Sequence, residues 1–450
     1  MLTRRQLLKR SAAAFAGIQL LPRSVFGAND RLGANDRLNV AWVGLGGQGT
    51  GNLKNFSGEN VVAICDVDGA SLARSAKNWP NARPYKDFRK MLTEMDKQID
   101  AVGVATPDHC HFPVAYMAMA MGKHVFVQKP LAHSIGEVRQ LQQFAQKNKV
   151  ITQMGNQGHA LEGIRLIKEW YQAGLIGDVH EIIAWTNRPA GFARKSYTAY
   201  PPPQEVPAGL DWDLWVGPVT AKVGYNPAFH PKLWRGWWAF GCGGLGDIGC
   251  HTLDAPFWTL DLGSPTLIEV KVESVNPLFT QKGSVVTYHF TARGPKPPVK
   301  ITWYEGPTRP PRPEFMGSEE LDGEGGMIMI GSKGAIAHPG MRPENPRLYP
   351  EAKWQEFRAD ASKRPPKTLP RIKGSIFSDW VSAIKNNGTP CSNFSYAGPL
   401  TEVIILGTLA IRTGKSIEFD SANMKIANNP EAHALLQVPA RKGWDMASLG

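Results

Sequence analysis

Apolar residues in the first third of the chain fall in short runs at 39–43, 60–65, 100–105, 123–127 and 150–154. Between them, 71–79, 112–121 and 134–147 carry apolar positions at helical spacing. Short continuous apolar runs read as strands buried on both faces, and their alternation with helices predicts a parallel sheet covered on both sides. The rhythm changes after 155. A helix is predicted over 161–171, then strands over 179–186, 266–274, 284–291 and 299–304, mostly without helices between them. That favours an antiparallel sheet. Proline-rich loops at 201–207, 307–313 and 363–370 interrupt it, and helices over 377–386 and 400–413 precede a short strand at 416–419. The expected organisation is an α/β doubly wound domain at 39–155, an α+β domain at 156–425 with a large, mostly antiparallel sheet, and a C-terminal tail at 426–450.

The N-terminus stands apart. Arg4 and Arg5, a mildly apolar stretch at 11–21 and the small residues near Gly27 resemble a twin-arginine export signal over 1–27. A periplasmic or otherwise exported location follows as an expectation. Residues 27–38 repeat GANDRL in tandem, so 28–38 reads as a linker. Removing 1–27, with five basic residues and no acid, takes the formal charge from +12 to +7. The remaining positive charge is dispersed, with a local cluster from Lys363 to Lys373. It forms no basic and aromatic stripe of the nucleic-acid type. After the signal no stretch is expected to be long and apolar enough to cross a membrane. The five cysteines form no CxxC pair, so neither a zinc ribbon nor a disulfide framework is expected.

The run at 39–43 ends in Gly44-Leu45-Gly46-Gly47-Gln48-Gly49, and the next run ends in Asp66, 22 residues past Gly44. Strand, glycine turn, helix, strand and acid is the layout that binds a dinucleotide. Gly44 permits the tight turn, Gly46 lets a pyrophosphate approach the backbone, and Gly49 allows close helix packing. Asp66 would bind the ribose hydroxyls and repel a 2′-phosphate, so NAD is favoured over NADP.

Three further segments carry chemistry. Thr106-Pro107-Asp108-His109-Cys110-His111 follows the strand at 100–105, where ligands of such sheets bind. Thr106, Pro107, His109 and His111 are candidate cofactor contacts; the alternative is a capped helix start with two surface histidines. Gln128-Lys129-Pro130 ends the next strand, and Lys129 there is a candidate to bind a substrate hydroxyl and the nicotinamide ribose; the alternative is a snorkelling surface lysine. Asp247 and His251, in GDIGCHTLD, are one helical turn apart if a helix starts near Asp247. A carboxylate and an imidazole so spaced can hold an alcohol and take its proton. The alternative is a first-turn acid and a core histidine. No third ligand of clear spacing accompanies either histidine segment, so no metal is expected. Six tryptophans, Trp212, Trp215, Trp234, Trp237, Trp238 and Trp258, crowd this region, and most are expected to be packing.

Together GLGGQG, ICDVD, ATPDHCH, VQKP, MGNQGH and GDIGCHTLD resemble the Gfo/Idh/MocA family, named for glucose–fructose oxidoreductase and inositol dehydrogenase. The resemblance covers nearly all of 39–420. It implies a Rossmann domain, then an open-faced sheet domain that often builds oligomers, here a homo-oligomer (dimer or tetramer). It further implies a catalytic set of Lys129, Asp247 and His251, with Gln128 and Asn156 on the cofactor. The family's glutamate before the lysine is replaced by Gln128, which removes a negative neighbour of Lys129. Three readings follow: an NAD-dependent oxidoreductase acting on a sugar, sugar acid, cyclitol or glycoside; a glycosidase that keeps its NAD; and a non-catalytic NAD-bound sugar-binding protein.

Overall fold

The computed structural model describes residues 36–450; the export-signal reading and most of the repeated linker lie outside these residues. Six parallel strands form the first sheet: β1 Asn39–Val43, β2 Asn60–Cys65, β3 Arg83–Tyr85, β4 Ala101–Val104, β5 His124–Val127 and β6 Thr152–Met154, in the order β3-β2-β1-β4-β5-β6. The order reverses between β1 and β4, which opens a crevice at their carboxyl ends. Alternate side chains of these strands enter two cores. Ala41, Val43, Val102 and Val104 pack on one face, with residues of helices His111–Ala120 and Ile135–Asn148. Val40, Trp42 and Phe126 pack on the other, against Phe56, Phe377 and Trp380. The last two come from the helix Ile376–Asn386, so a segment assigned by sequence to the second domain covers the first sheet.

The second sheet has nine strands: β7 Val179–Thr186, β8 Leu267–Val272, β9 Ser284–Phe290, β10 Val299–Glu305, β11 Gly325–Gly331, β12 Gly334–Pro339, β13 Arg347–Tyr349, β14 Ile417–Asp420 and β15 Lys425–Ile426. Their order is β13-β12-β11-β7-β10-β9-β8-β14-β15, and only the β7–β10 pair is parallel. Strands β11 and β12 escape the apolar pattern because glycines replace side chains there, and β13, at three residues, is too short to leave one. A Cβ on Gly326 would lie 2.6 Å from the Trp185 ring.

Helix Phe394–Thr413 joins the domains. It packs on helices Ile135–Asn148 and Gly243–Thr252 and on β8 and β9. A Cβ on Gly249 would lie 2.6 Å from Ile404, so that glycine sets how closely two of these helices approach. Arg139 donates from Nε and Nη2 to the two Glu402 oxygens at 2.8 and 2.9 Å across the same junction. The helix starts six residues earlier than the pattern suggests, because Asn393 caps it and Pro399 is accommodated within. It also corrects the expectation about membranes. By length and composition Phe394–Thr413 could cross one, yet 83% of its apolar window is buried inside the protein.

The segment after 425 is also corrected. Ile426 completes β15, and Leu436 and Trp444 enter the core. All five cysteines are free.

Candidate active site

The glycine turn is fixed by contact with the strands beside it. Gly44 has φ +91°, and a Cβ there would lie 2.5 Å from the Ala105 carbonyl oxygen. A Cβ on Gly49 would lie 2.1 Å from the Gly44 oxygen, so the short helix Gln48–Leu53 rests directly on the turn. Gly46 and Gly47 instead face open space, and a Cβ added to either would meet no atom within 4 Å. Asp66 accepts hydrogen bonds from Leu45 N at 2.6 Å and Asp68 N at 2.9 Å, which ties the end of β2 to the turn. Burial raises its carboxyl to about 6 against the opposing pull of those amides.

A cavity of about 890 Å³ lies over these strand ends. Gly44, Gly46, Gly47, Gln48, Asp66, Thr106, Pro107, His111, Gln128, Lys129, Asp247 and His251 all line it. Lys129 reaches across from the first domain. Its Nζ donates to the Asp247 backbone oxygen at 2.5 Å and to Oδ1 at 3.0 Å. Helix Gly243–Thr252 begins four residues before Asp247, so the sequence-based start is corrected and Asp247 is no first-turn acid. Burial alone would push its carboxyl up. Lys129, Arg235 and Arg188 outweigh that and hold it well below the usual carboxylate range.

His251 is 2% exposed, and burial, then Lys129 and Arg342, hold its imidazole neutral. Its Nδ1 lies 3.1 Å from Asn156 Oδ1. With Nδ1–H donating to that oxygen, Nε2 is left as a proton acceptor. A neutral imidazole of this tautomer can take a hydroxyl proton, and Lys129, oriented by Asp247, can donate to the same oxygen.

Three candidates do not line the cavity. Gly49 sits under the turn. Asn156 is fully buried, with its Oδ1 on His251. His109 is the correction: its Nδ1 lies 3.1 Å from the Phe240 carbonyl oxygen and its Nε2 2.9 Å from that of Trp215. The ring is 2% exposed and links β4 to the second domain. Neither histidine is on the surface. His111 reaches the cavity edge with Nδ1 2.7 Å from the Pro130 oxygen and Nε2 3.0 Å from the Thr106 oxygen. Asp254, three residues past His251, accepts from Tyr396 Oη at 2.6 Å beside His159 Nδ1 at 2.8 Å and does not line the cavity.

Sequence reasoning missed several lining residues. Asp108, 6% exposed, accepts from Cys242 N at 3.1 Å, and burial raises it to about 7 despite Arg235 and Lys129. Its place in the ATPDHCH motif was the available signal. Arg188 and Arg342 come from irregular loops and Arg235 from the short 3-10 turn Leu233–Gly236, with no periodicity to mark them. Trp215 and Trp234 line the cavity, and Trp215, Trp237, Phe229 and Phe240 pack as a separate aromatic core that shapes the 187–240 loop.

The residues fit a nicotinamide dinucleotide. Thr106 Oγ1 and Gln128 Nε2, both on the cavity, are buried without a hydrogen-bond partner in the protein, which is rare unless a ligand supplies one. Gly44 to Gly49 would hold the pyrophosphate and Asp66 the ribose, and bound there NAD supplies a hydride acceptor.

Two family models match the chain: the oxidoreductase family's NAD-binding Rossmann fold over 38–156 and its C-terminal alpha/beta domain over 163–291. Together they cover more than half of it. The chain belongs to the Gfo/Idh/MocA oxidoreductase family. It is 27% identical over 266 residues to a glycosyl hydrolase family 109 protein of Saccharopolyspora erythraea, covering 50% of this chain and 55% of that one. It is 31% identical over 146 residues to the inositol 2-dehydrogenase of Salmonella typhimurium, covering 31% and 43%. The match thus spans about half the length of these curated relatives, or less. Among solved structures, the WlbA dehydrogenase of Bordetella pertussis, in complex with NADH and UDP-GlcNAcA, superimposes with a TM-score of 0.59 at 15% identity, covering 85% of this chain and 99% of that one. A levoglucosan dehydrogenase in complex with NADH gives 0.57 at 16% identity, covering 85% and 99%. These likenesses establish the fold, including the parallel sheet followed by the mostly antiparallel one.

Proposed function

We propose that this protein is an NAD-dependent oxidoreductase acting on a secondary hydroxyl of a carbohydrate. The carbinol hydrogen leaves as hydride to the nicotinamide, and the hydroxyl proton passes to His251 Nε2. Lys129 holds the hydroxyl oxygen, and Asp247 holds Lys129. The observation that carries this reading is the Lys129–Asp247 pair, 3.0 Å apart, in one cavity with a neutral His251 above the glycine turn. Relatives named inositol 2-dehydrogenase support the substrate class. We also propose export through the twin-arginine route, as a homo-oligomer.

A second reading, a glycosidase that retains NAD, is supported by the likeness to proteins named glycosyl hydrolase family 109. Denaturing protein purified without added nucleotide and assaying the released NAD(H) tests cofactor binding. Incubation with sugars and glycosides then separates the readings. Net NADH from a sugar supports the dehydrogenase, whereas aglycone release with no net NADH supports the glycosidase. No dinucleotide, released or bound on titration, would refute both.

A further inference from the structure

The charges around Asp247 do not balance. Lys129, Arg235 and Arg188 approach this one carboxylate at 3.0, 3.4 and 3.6 Å. The other nearby acid, Asp108, is pushed up to about 7 and gives only partial compensation at neutral pH. A fourth cation, Arg342, enters the cavity from the loop after β12. Among the described residues it has no ion-pair partner, and its buried Nε has no hydrogen-bond acceptor. Its stem passes Gly158, where an added Cβ would lie 3.7 Å from Arg342 Cγ, and Pro343 beside it rests on Gly158 and Gly163. The base of the Arg342 side chain is therefore packed against Gly158, and its guanidinium carries no ion pair among the described residues.

A half-buried guanidinium without an acceptor is costly, and a planar fork of N–H donors matches a carboxylate. An oxidised nicotinamide would add further positive charge. We propose that the substrate is a sugar bearing a carboxylate, which is seated on Arg342 beside His251. This rests on the oxidoreductase reading and narrows its substrate class. It also has a consequence for the chemistry. The positive charge of Arg342 is one of the causes that keep His251 neutral. A bound carboxylate offsets that charge and makes His251 a better proton acceptor once the substrate is in place.

The test is calorimetric titration of the NAD-loaded protein with hexuronates and aldonates, each paired with its parent neutral sugar, and with hexose 6-phosphates. At least one acid should bind about tenfold or more tighter than its parent, the scale of one charge-assisted contact. Arg342→Gln should remove that preference, and Arg342→Lys should restore part of it. The proposal is overturned if no acid binds tighter than its parent, if a sugar phosphate binds tighter than every acid, or if Arg342→Gln keeps the preference. NADH formation is followed in the same samples. Acid binding without hydride transfer or aglycone release counts against the catalytic reading alone. NADH formation from neutral sugars with no acid preference counts against this inference alone.

Discussion

Replacing Asp108 by Asn should change how stability depends on pH. Asp108 is buried at the end of β4, accepts from Cys242 N at 3.1 Å, and is raised from 3.8 to about 7 by burial, which outweighs Arg235 and Lys129. Below about pH 4 the carboxyl is protonated in both the folded and unfolded chains. Between about pH 4 and pH 7 only the folded chain keeps the proton, so its stability falls as pH rises, then levels off. A difference of roughly three units at about 1.4 kcal/mol each amounts to about 4 kcal/mol. An asparagine keeps an acceptor for Cys242 N and does not titrate. The variant should therefore match the parent near pH 4 and exceed it by several kcal/mol above about pH 8. Asp66, Glu137 and Glu305, also raised, are common to both proteins and cancel in the difference. Thermal midpoints of nucleotide-free protein across this range provide the assay. Parallel curves for the two proteins would refute the argument that Asp108 is protonated by burial.

Other perturbations address the cofactor and the base. His251→Ala should lower turnover by about 10²–10⁴-fold, the usual worth of a positioned acid–base group, with dinucleotide affinity unchanged by fluorescence titration; normal turnover would exclude His251 as the base. Gly49→Ala should abolish dinucleotide binding, since its Cβ would sit 2.1 Å from the Gly44 oxygen. Gly51→Ala, which meets no atom within 4 Å in the same helix, should bind normally and gain up to about 1 kcal/mol in thermal unfolding. Asp66→Asn should lower the ratio of NAD to NADP affinity measured by titration, because it removes the charge that repels a 2′-phosphate.

What the sequence made legible was set by local chemistry. The turn from Gly44 to Gly49 and the acid at Asp66 could be read because Gly44 and Gly49 answer local steric demands. Strands β1 and β2 were readable because burial leaves uninterrupted apolar runs. Lys129, Asp247 and His251, marked as candidates by strand ends, helical spacing and the family resemblance, line one cavity. His109 was misassigned because a histidine bonded to backbone carbonyls has the same sequence signature as one facing a ligand. Strands β11 and β12 were hidden by glycines, those of β11 making room for Trp185, and β13 by its length of three residues. Arg342 was invisible for another reason: its position depends on how the loop after β12 docks on Gly158 and Gly163, a contact between segments about 180 residues apart in the sequence.

Trp444 carries a consequence for how the molecule is made. It lines the cavity, packs its ring 6.0 Å from that of Phe88 in the first domain, and lies under the Arg89 guanidinium at 4.4 Å. Arg441 beside it donates from Nε to the Gly217 oxygen at 3.0 Å. During synthesis the glycine turn leaves the ribosome some 400 residues before this wall exists. A growing chain completes both faces of its first sheet only after Phe377 and Trp380 emerge, and the pocket over that sheet stays open on one side until residue 444 arrives. Tight capture of the dinucleotide therefore reports a finished molecule, and a chain broken off before 440 would be born with a folded cofactor domain and a leaking grip.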